Sequence, residues 1–279
     1  MLILPPAPER WEPLKALLGA DPSDWMEDLQ RRLGDGPAGA RDAFAIIPDG
    51  GNTLAHACIR RCGEFGVLGH MFTHENHRRR GLARSLVQTL LSWFDMTGGR
   101  WAYAYCPTPL LPLLEPFGFY VLHRPRSVRE DVALVRPYKS SAGRSPYETL
   151  QGDWERRALT AADWPALVCM LQHLSGPDPR VALVDSALGA AQFALDLVRQ
   201  EQRGACRLLG EFRGGRLLAA ASISLEPPAP RTYAMVMPPQ LATAELREDV
   251  TREAALRGYS TVDFPLERLA TSAPRSAGG

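Results

Sequence analysis

Residues 65–83, FGVLGHMFTHENHRRRGLA, join an apolar stretch, a basic loop and a helical pattern without a break. The stretch 65–74 reads as a strand, paired in a hairpin with 53–61 around the turn Cys62-Gly63-Glu64. From 79 to 96 the spacing of Leu82, Leu86, Leu90 and Trp93 is that of one helix face, and Gly98-Gly99 stops it. The loop between them, His77-Arg78-Arg79-Arg80-Gly81, therefore lies at a helix start. The first turn of a helix has backbone N–H groups without partners and a partial positive charge. Gly81 allows close approach of a ligand to the backbone, and Ala83 keeps a second point free of bulk. Arg78, Arg79, Arg80 and Arg84 add charge and donors. Arginine opposes the helix dipole at this end, so the cluster points to an anion, and the whole describes a pyrophosphate cradle.

The remaining patterning sets the frame. Helical spacing at 9–19 and 23–33 precedes a buried strand at 43–47 and the turn Pro48-Asp49-Gly50-Gly51-Asn52. After the central helix come a strand at 100–106, a proline-rich short helix at 108–117, and strands at 118–124 and 128–136. The order is ααβββαβαββ. Residues 137–152, rich in Ser, Gly and Pro and without apolar periodicity, place a linker at 139–152 between a first domain (1–138) and a second (153–270). In the second, a strand at 156–159, helices at 161–174 and 185–201, strands at 205–212, 216–225 and 231–237, a helix at 241–257 and a strand at 260–264 give βααβββαβ. This order repeats the first part and then stops, so the chain is read as a duplicated α/β unit whose second copy is truncated. Residues 271–279 read as a disordered tail.

Composition narrows the function classes. With 32 basic and 31 acidic residues among 279, the net charge is +1, which gives no reason to expect nucleic acid or an anionic membrane as partner. An Arg-rich nucleic-acid module would also need basic residues interleaved with aromatics, and these are missing. All but two of the basic residues are arginine, so any phosphate site is built from Arg and backbone amides. The five scattered cysteines form neither a disulfide framework nor a zinc ribbon. Without a basic, apolar leader or an apolar run of about 18 residues, the chain is expected to be cytoplasmic.

The run Arg78-Arg79-Arg80-Gly81-Leu82-Ala83 resembles the Arg/Gln-x-x-Gly-x-Gly/Ala signature of the GNAT (Gcn5-related) N-acetyltransferases, and Phe117-Gly118-Phe119 is similar to that family's closing "GF". The resemblance covers about residues 9–136 and reaches 154–265 only through element order. It implies an α/β (α+β) fold of two GNAT-like units, each a mixed, mostly antiparallel twisted sheet flanked by helices. It also implies acyl transfer from acetyl-CoA, or another acyl-CoA, to the amine of a small-molecule or peptide acceptor by direct attack on the thioester. Carried over by position, Met71, Phe72 and Thr73 would offer backbone groups to pantetheine and the thioester carbonyl, and Arg79, Arg80, Gly81, Leu82, Ala83 and Arg84, with Arg78 beside them, would hold the pyrophosphate. The monomer and the homodimer are both open.

Three positions depart from the family pattern. Leu114 stands where a Tyr often serves as general acid, Pro107 falls near a frequent Asn, and Glu75 replaces a common Pro. A non-catalytic acyl-CoA-binding pseudoenzyme is therefore the alternative. Tyr103 or Tyr105 could stand in for the missing acid, and His70 and Glu64 are the candidate bases. His70, His74, His77 and Glu75 straddle strand and loop without a metal-ligand spacing, so no metal is expected. Cys58 and Cys62 read as buried small residues, and Cys106 has no activating base near it in sequence. In the second half, residues 236–245 have no glycine and no basic residue, while Glu245 and Glu248 would repel phosphate, so this half is expected not to bind CoA. Trp154, Trp164 and Phe193 are expected in the core.

Overall fold

A computed structural model describes residues 1–19, 24–34, 41–123, 132–141, 144–148, 150–174, 187–224, 232–237, 243–256 and 262–263. Of the expectations above, the tail at 271–279 and the side chain of Phe193 lie outside the described residues. The chain forms two compact units, the first built on Met1–Pro146 and the second on residues from Tyr147 onward.

The first unit is a seven-stranded sheet in the order β1-β2-β3-β4-β5-β7-β6. Its elements are β1 (Leu2–Ile3), α1 (Trp11–Leu18), α2 (Asp24–Gly34), β2 (Arg41–Asp49), β3 (Asn52–Cys62), β4 (Phe65–Thr73), α3 (Leu82–Met96), β5 (Trp101–Cys106), α4 (Leu111–Leu114), β6 (Tyr120–His123) and β7 (Val132–Pro137). Only β4 and β5 pair in parallel; the other neighbours are antiparallel. Strand β1 is absent from the sequence reading. Two residues carry no period, and they form a strand only because Leu2 and Ile3 find Ala45 and Phe44 on β2. The prolines at 109, 112 and 116 hold α4 to four residues, with 3-10 turns on both sides.

One face of this sheet is built of small residues. Ala43, Ala45, Ala55, Ala57, Ala102 and Ala104 are buried under Leu86, Val87, Leu90 and Phe94 of α3. A side chain at Gly66 or Gly99 would collide with the Phe94 ring, at 2.5 and 2.4 Å. Small residues below and large ones above seat α3 close on the strands, which fixes where the helix starts. At its other end Asp95 holds Arg136 of β7 through two hydrogen bonds of 2.7 Å, and Arg136 Nε donates to the Phe117 carbonyl at 2.9 Å.

The opposite face carries α1 and α2 on Phe44, Ile46 and Cys58. Here four charges are buried together. Arg32 donates to both Asp42 oxygens (3.1 and 2.7 Å), and Arg60 Nε donates to Asp42 Oδ1 at 3.2 Å. Asp28 lies 3.8 Å from Arg32 and 3.9 Å from Arg60. Two cations and two anions cancel, so α2 is bolted to β2 and β3. Burial by itself would raise the two carboxyls, but the arginines outweigh it and hold both below the ordinary aspartate value.

The second unit is a five-stranded sheet, β12-β11-β10-β9-β8. Its elements are β8 (Trp154–Ala158), α5 (Trp164–Leu174), α6 (Ala187–Gln202), β9 (Cys206–Arg213), β10 (Arg216–Ser224), β11 (Thr232–Met237), α7 (Ala244–Leu256) and β12 (Val262–Asp263). Thr160 and Asp163 form a capping box before α5. With β1 included, the first unit also begins βααβββαβ, and in both units only the last of those strands joins in parallel. The fold is thus two α/β units of the same topology, each a mixed sheet flanked by helices. Trp154 departs from expectation. It is 49% exposed on edge strand β8, with the Arg213 guanidinium 5.4 Å from its ring centroid. Trp164 is partly buried.

Candidate functional site

Strands β4 and β5 run side by side from the Phe65–Trp101 pair to the Leu68–Ala104 pair and then part. Beyond that point Tyr105 and Cys106 pair with Ala133 and Val132 of β7, while β4 continues five residues to Thr73. The parting coincides with a bulge. His56 faces Phe72 and Cys58 faces Gly69, so β4 holds one residue more than β3 across the interval. His70 takes it up with a φ of +50°, a conformation rare for residues other than glycine. The result is a gap between two parallel strands, edged by Gly69, His70, Met71, Phe72 and Thr73 on one side and Tyr105 on the other.

A 3-10 turn, Glu75–His77, leads from β4 to α3. Arg79 (φ +61°) and Gly81 (φ +77°) both take left-handed backbone, and Gly81 is the N-cap of α3. The first helical bond runs from Ser85 N–H to the Gly81 carbonyl, so the amides of Leu82, Ala83 and Arg84 precede it. No side chain caps this end and no acidic residue stands in its first turn. A Cβ built on Gly81 meets nothing within 4 Å. Arg78, Arg79, Arg80 and Arg84 are exposed. Arg78 Nε donates to the Thr73 carbonyl at 3.1 Å, so this side chain folds back onto the strand end. The expected helix at 79–96 begins only at Leu82, because the two left-handed residues cannot continue a right-handed helix.

The candidate catalytic residues are not all brought together. His70 lies in the gap edge, stacked on Trp25 of α2 (5.4 Å between centroids, 18° between planes). Tyr105 lies on the parted section of β5, half-buried. Tyr103 pairs with Val67 below the parting and is buried. Glu64 sits at the opposite end of β4, where its carbonyl accepts from Arg100 and Trp101 and its carboxylate lies 3.7 Å from Arg100. Eight residues of strand separate it from Met71–Thr73, about 25 Å, so it does not reach the gap. Leu114 is fully buried and Pro107 follows the end of β5. Cys58 and Cys106 are buried, and Cys62 is partly so. His74 and His77 meet edge to face, and among the described residues no three His, Cys, Asp or Glu side chains converge as a metal site.

The corresponding helix start in the second unit is occupied. Thr243 Oγ1 accepts from the Leu246 amide at 3.2 Å and donates to Glu211 Oε1 at 2.6 Å, while the Thr243 amide donates to Glu211 Oε2 at 3.3 Å. Glu211 is fully buried. The acidic group at this helix start is thus a side chain of the protein itself.

Sequence reading missed the Arg32–Asp42–Arg60–Asp28 cluster, the Trp25–His70 stack and the fully buried His56. A signal existed for part of this: Asp42, His56 and Arg60 are polar residues inside otherwise apolar strands.

A glycine-capped, arginine-flanked helix start thus stands beside two parting parallel strands. Residues 10–119 match the family model described as Acetyltransferase (GNAT) family, and these residues form a GNAT acetyltransferase domain. Solved structures of similar fold include a GNAT family N-acetyltransferase from Escherichia coli in complex with CoA, at 17% identity over 51% of this chain and 83% of that one (TM-score 0.40). A putative N-acetyltransferase from Lactobacillus plantarum is 14% identical over 49% of this chain and 97% of its own (TM-score 0.40). A tandem GNAT protein from the clavulanic acid biosynthesis pathway is 14% identical over 97% of this chain and 93% of its own (TM-score 0.36). No curated protein matches the chain. Among the described residues no helix is long and apolar enough to cross a membrane.

Proposed function

We propose that the first unit transfers an acyl group, acetyl foremost, from acyl-CoA to an amine acceptor. The observation that carries this is the contrast between the two helix starts. That of α3 has no side-chain cap, no first-turn carboxylate and open space at Gly81, whereas that of α7 is filled by Thr243 and Glu211. Buried or clustered donors at a helix start call for an anion.

The amides of Gly81, Leu82, Ala83 and Arg84 would hold the pyrophosphate, with Arg79 and Arg80 adding charge and Arg78 bracing the strand end. Met71, Phe72 and Thr73 would offer their main chain to pantetheine along the gap, and one N–H there would polarise the acyl carbonyl. Acyl-CoA supplies the activated acyl group, which an amine nitrogen takes as the C–S bond breaks. His70 would accept the proton that the amine loses, and the Tyr105 hydroxyl would return one to the departing sulfur. Holding the two reactants together supplies much of the rate.

Calorimetry with CoA, followed by thiol release with acetyl-CoA and a panel of amines, tests this reading. Binding and turnover are expected. Absence of CoA binding overturns it. The burial of Leu114, which leaves no phenol at that point, favours a second reading, a non-catalytic CoA binder; binding without turnover on any amine would select it.

A further inference from the structure

We infer that the acceptor carries an aromatic ring close to its amine, and that Phe72, His70 and Trp25 form the wall on which that ring packs. This rests on the acyl-transfer reading and adds to it the chemical class of the second substrate.

Strand alternation places these rings on one face. Ala55, Ala57 and Ile59 of β3 belong to the core under α3, so His56, Cys58 and Arg60 point to the side of α1 and α2. Phe72 stands opposite His56 and shares that side. Ala104 and Cys106 belong to the α3 core, so Tyr105 between them points to the side of α1 and α2. Trp25 comes down from α2 onto His70. His70, Phe72 and Tyr105 therefore share the face turned to α2, on the parted sections of β4 and β5, and Trp25 of α2 meets them at His70.

Their exposure is the second observation. Phe72 is 38% exposed, and Trp25 and His70 are only partly covered. Phenylalanine is ordinarily among the most buried residues, and here one is left open beside the gap.

Charge is the third. Strands β3, β4 and β5 contain no carboxylate. On this face Asp28 and Asp42 are buried and spent on Arg32 and Arg60. A polycationic acceptor would find no free anion on these strands, whereas a planar ring finds others to stack on.

The wall is also preset. Trp25 shares a helix face with Asp28, Leu29 and Arg32, and the charge cluster holds that face to β2 and β3. A rigid wall spares the ordering cost of binding.

The test uses the full chain, acetyl-CoA and thiol release. For 2-phenylethylamine, kcat/KM is expected to exceed that for n-butylamine by roughly tenfold or more. Phe-Gly against Leu-Gly asks whether the ring belongs to a peptide N-terminus or to a small molecule; a preference in either pair supports the inference. Phe72→Ala should cut the ratio of kcat/KM for the aromatic over the aliphatic amine about fivefold, and Phe72→Tyr should keep it. Because Phe72 is exposed, neither variant threatens the fold. CoA binding with no aromatic preference in either pair, or a preference untouched by Phe72→Ala, overturns this inference and leaves acyl transfer standing. Loss of CoA binding in the unaltered protein overturns both.

Discussion

His56 gives the first unit a built-in sensitivity to acid. Its ring is fully buried in β3, stacked on Phe44 at 5.9 Å and 22°. Burial, then the neighbouring His70, then Arg32 push its pKa down from 6.5 to about 3. The imidazole is therefore neutral in the fold, while in the unfolded chain it takes a proton below pH 6.5. Between those values the unfolded state binds more protons, so stability is full above pH 6.5 and falls as pH drops towards 3. At pH 5 the unfolded chain has gained about 1.5 pK units of proton binding, or ~2 kcal/mol of lost stability from this one group. His56→Phe replaces the ring with one of similar size that stacks equally well on Phe44 and takes no proton. Urea unfolding at pH 7 and pH 5, read by amide hydrogen exchange in β3 so that the second unit does not enter, measures the difference. The gap between variant and unaltered protein should widen by ~2 kcal/mol in favour of the variant on going to pH 5. If the two stabilities fall in parallel, His56 is not held neutral and the reasoning fails.

Gly81→Glu, which puts a carboxylate and an unfavourable left-handed side chain at the α3 start, should abolish CoA binding by calorimetry; unchanged affinity would refute the cradle. Arg60→Met leaves Asp42 and Asp28 sharing Arg32, and should destabilise the first unit by about 3–5 kcal/mol in urea melts, while loss of the whole cluster by acid should set in only below about pH 4, because both carboxyls are held below their unfolded value. The chain should take up one CoA, and Glu211→Gln should leave that stoichiometry at one while costing the second unit about 1–2 kcal/mol; a second CoA would show that the α7 start is a ligand site.

Much of the frame is legible because it rests on local periodicity. Leu82, Leu86, Leu90 and Trp93 mark α3, and the repeated strand and helix order shows the duplication. The two-residue β1 is not legible, since its pairing with β2 spans more than forty residues and no short run can encode it. The open helix start of α3 is legible for the same local reason as α3 itself: a glycine and four arginines are its neighbours in the chain. The catalytic assignments are not. Glu64 and His70 look alike in sequence, six residues apart around one strand, yet the bulge brings His70 to the gap and the hairpin holds Glu64 at the far end.

Local sequence was enough to set two α/β units and a glycine-capped, arginine-flanked helix start in the first of them, because hydrophobic period, turn residues and helix-end chemistry act over a few residues. Tertiary structure alone decided where β4 and β5 part, which polar groups became the buried charge cluster, and which rings share a face. Those depend on strand register and on α2 landing on β2 and β3, and register is set by contacts between segments far apart in the chain.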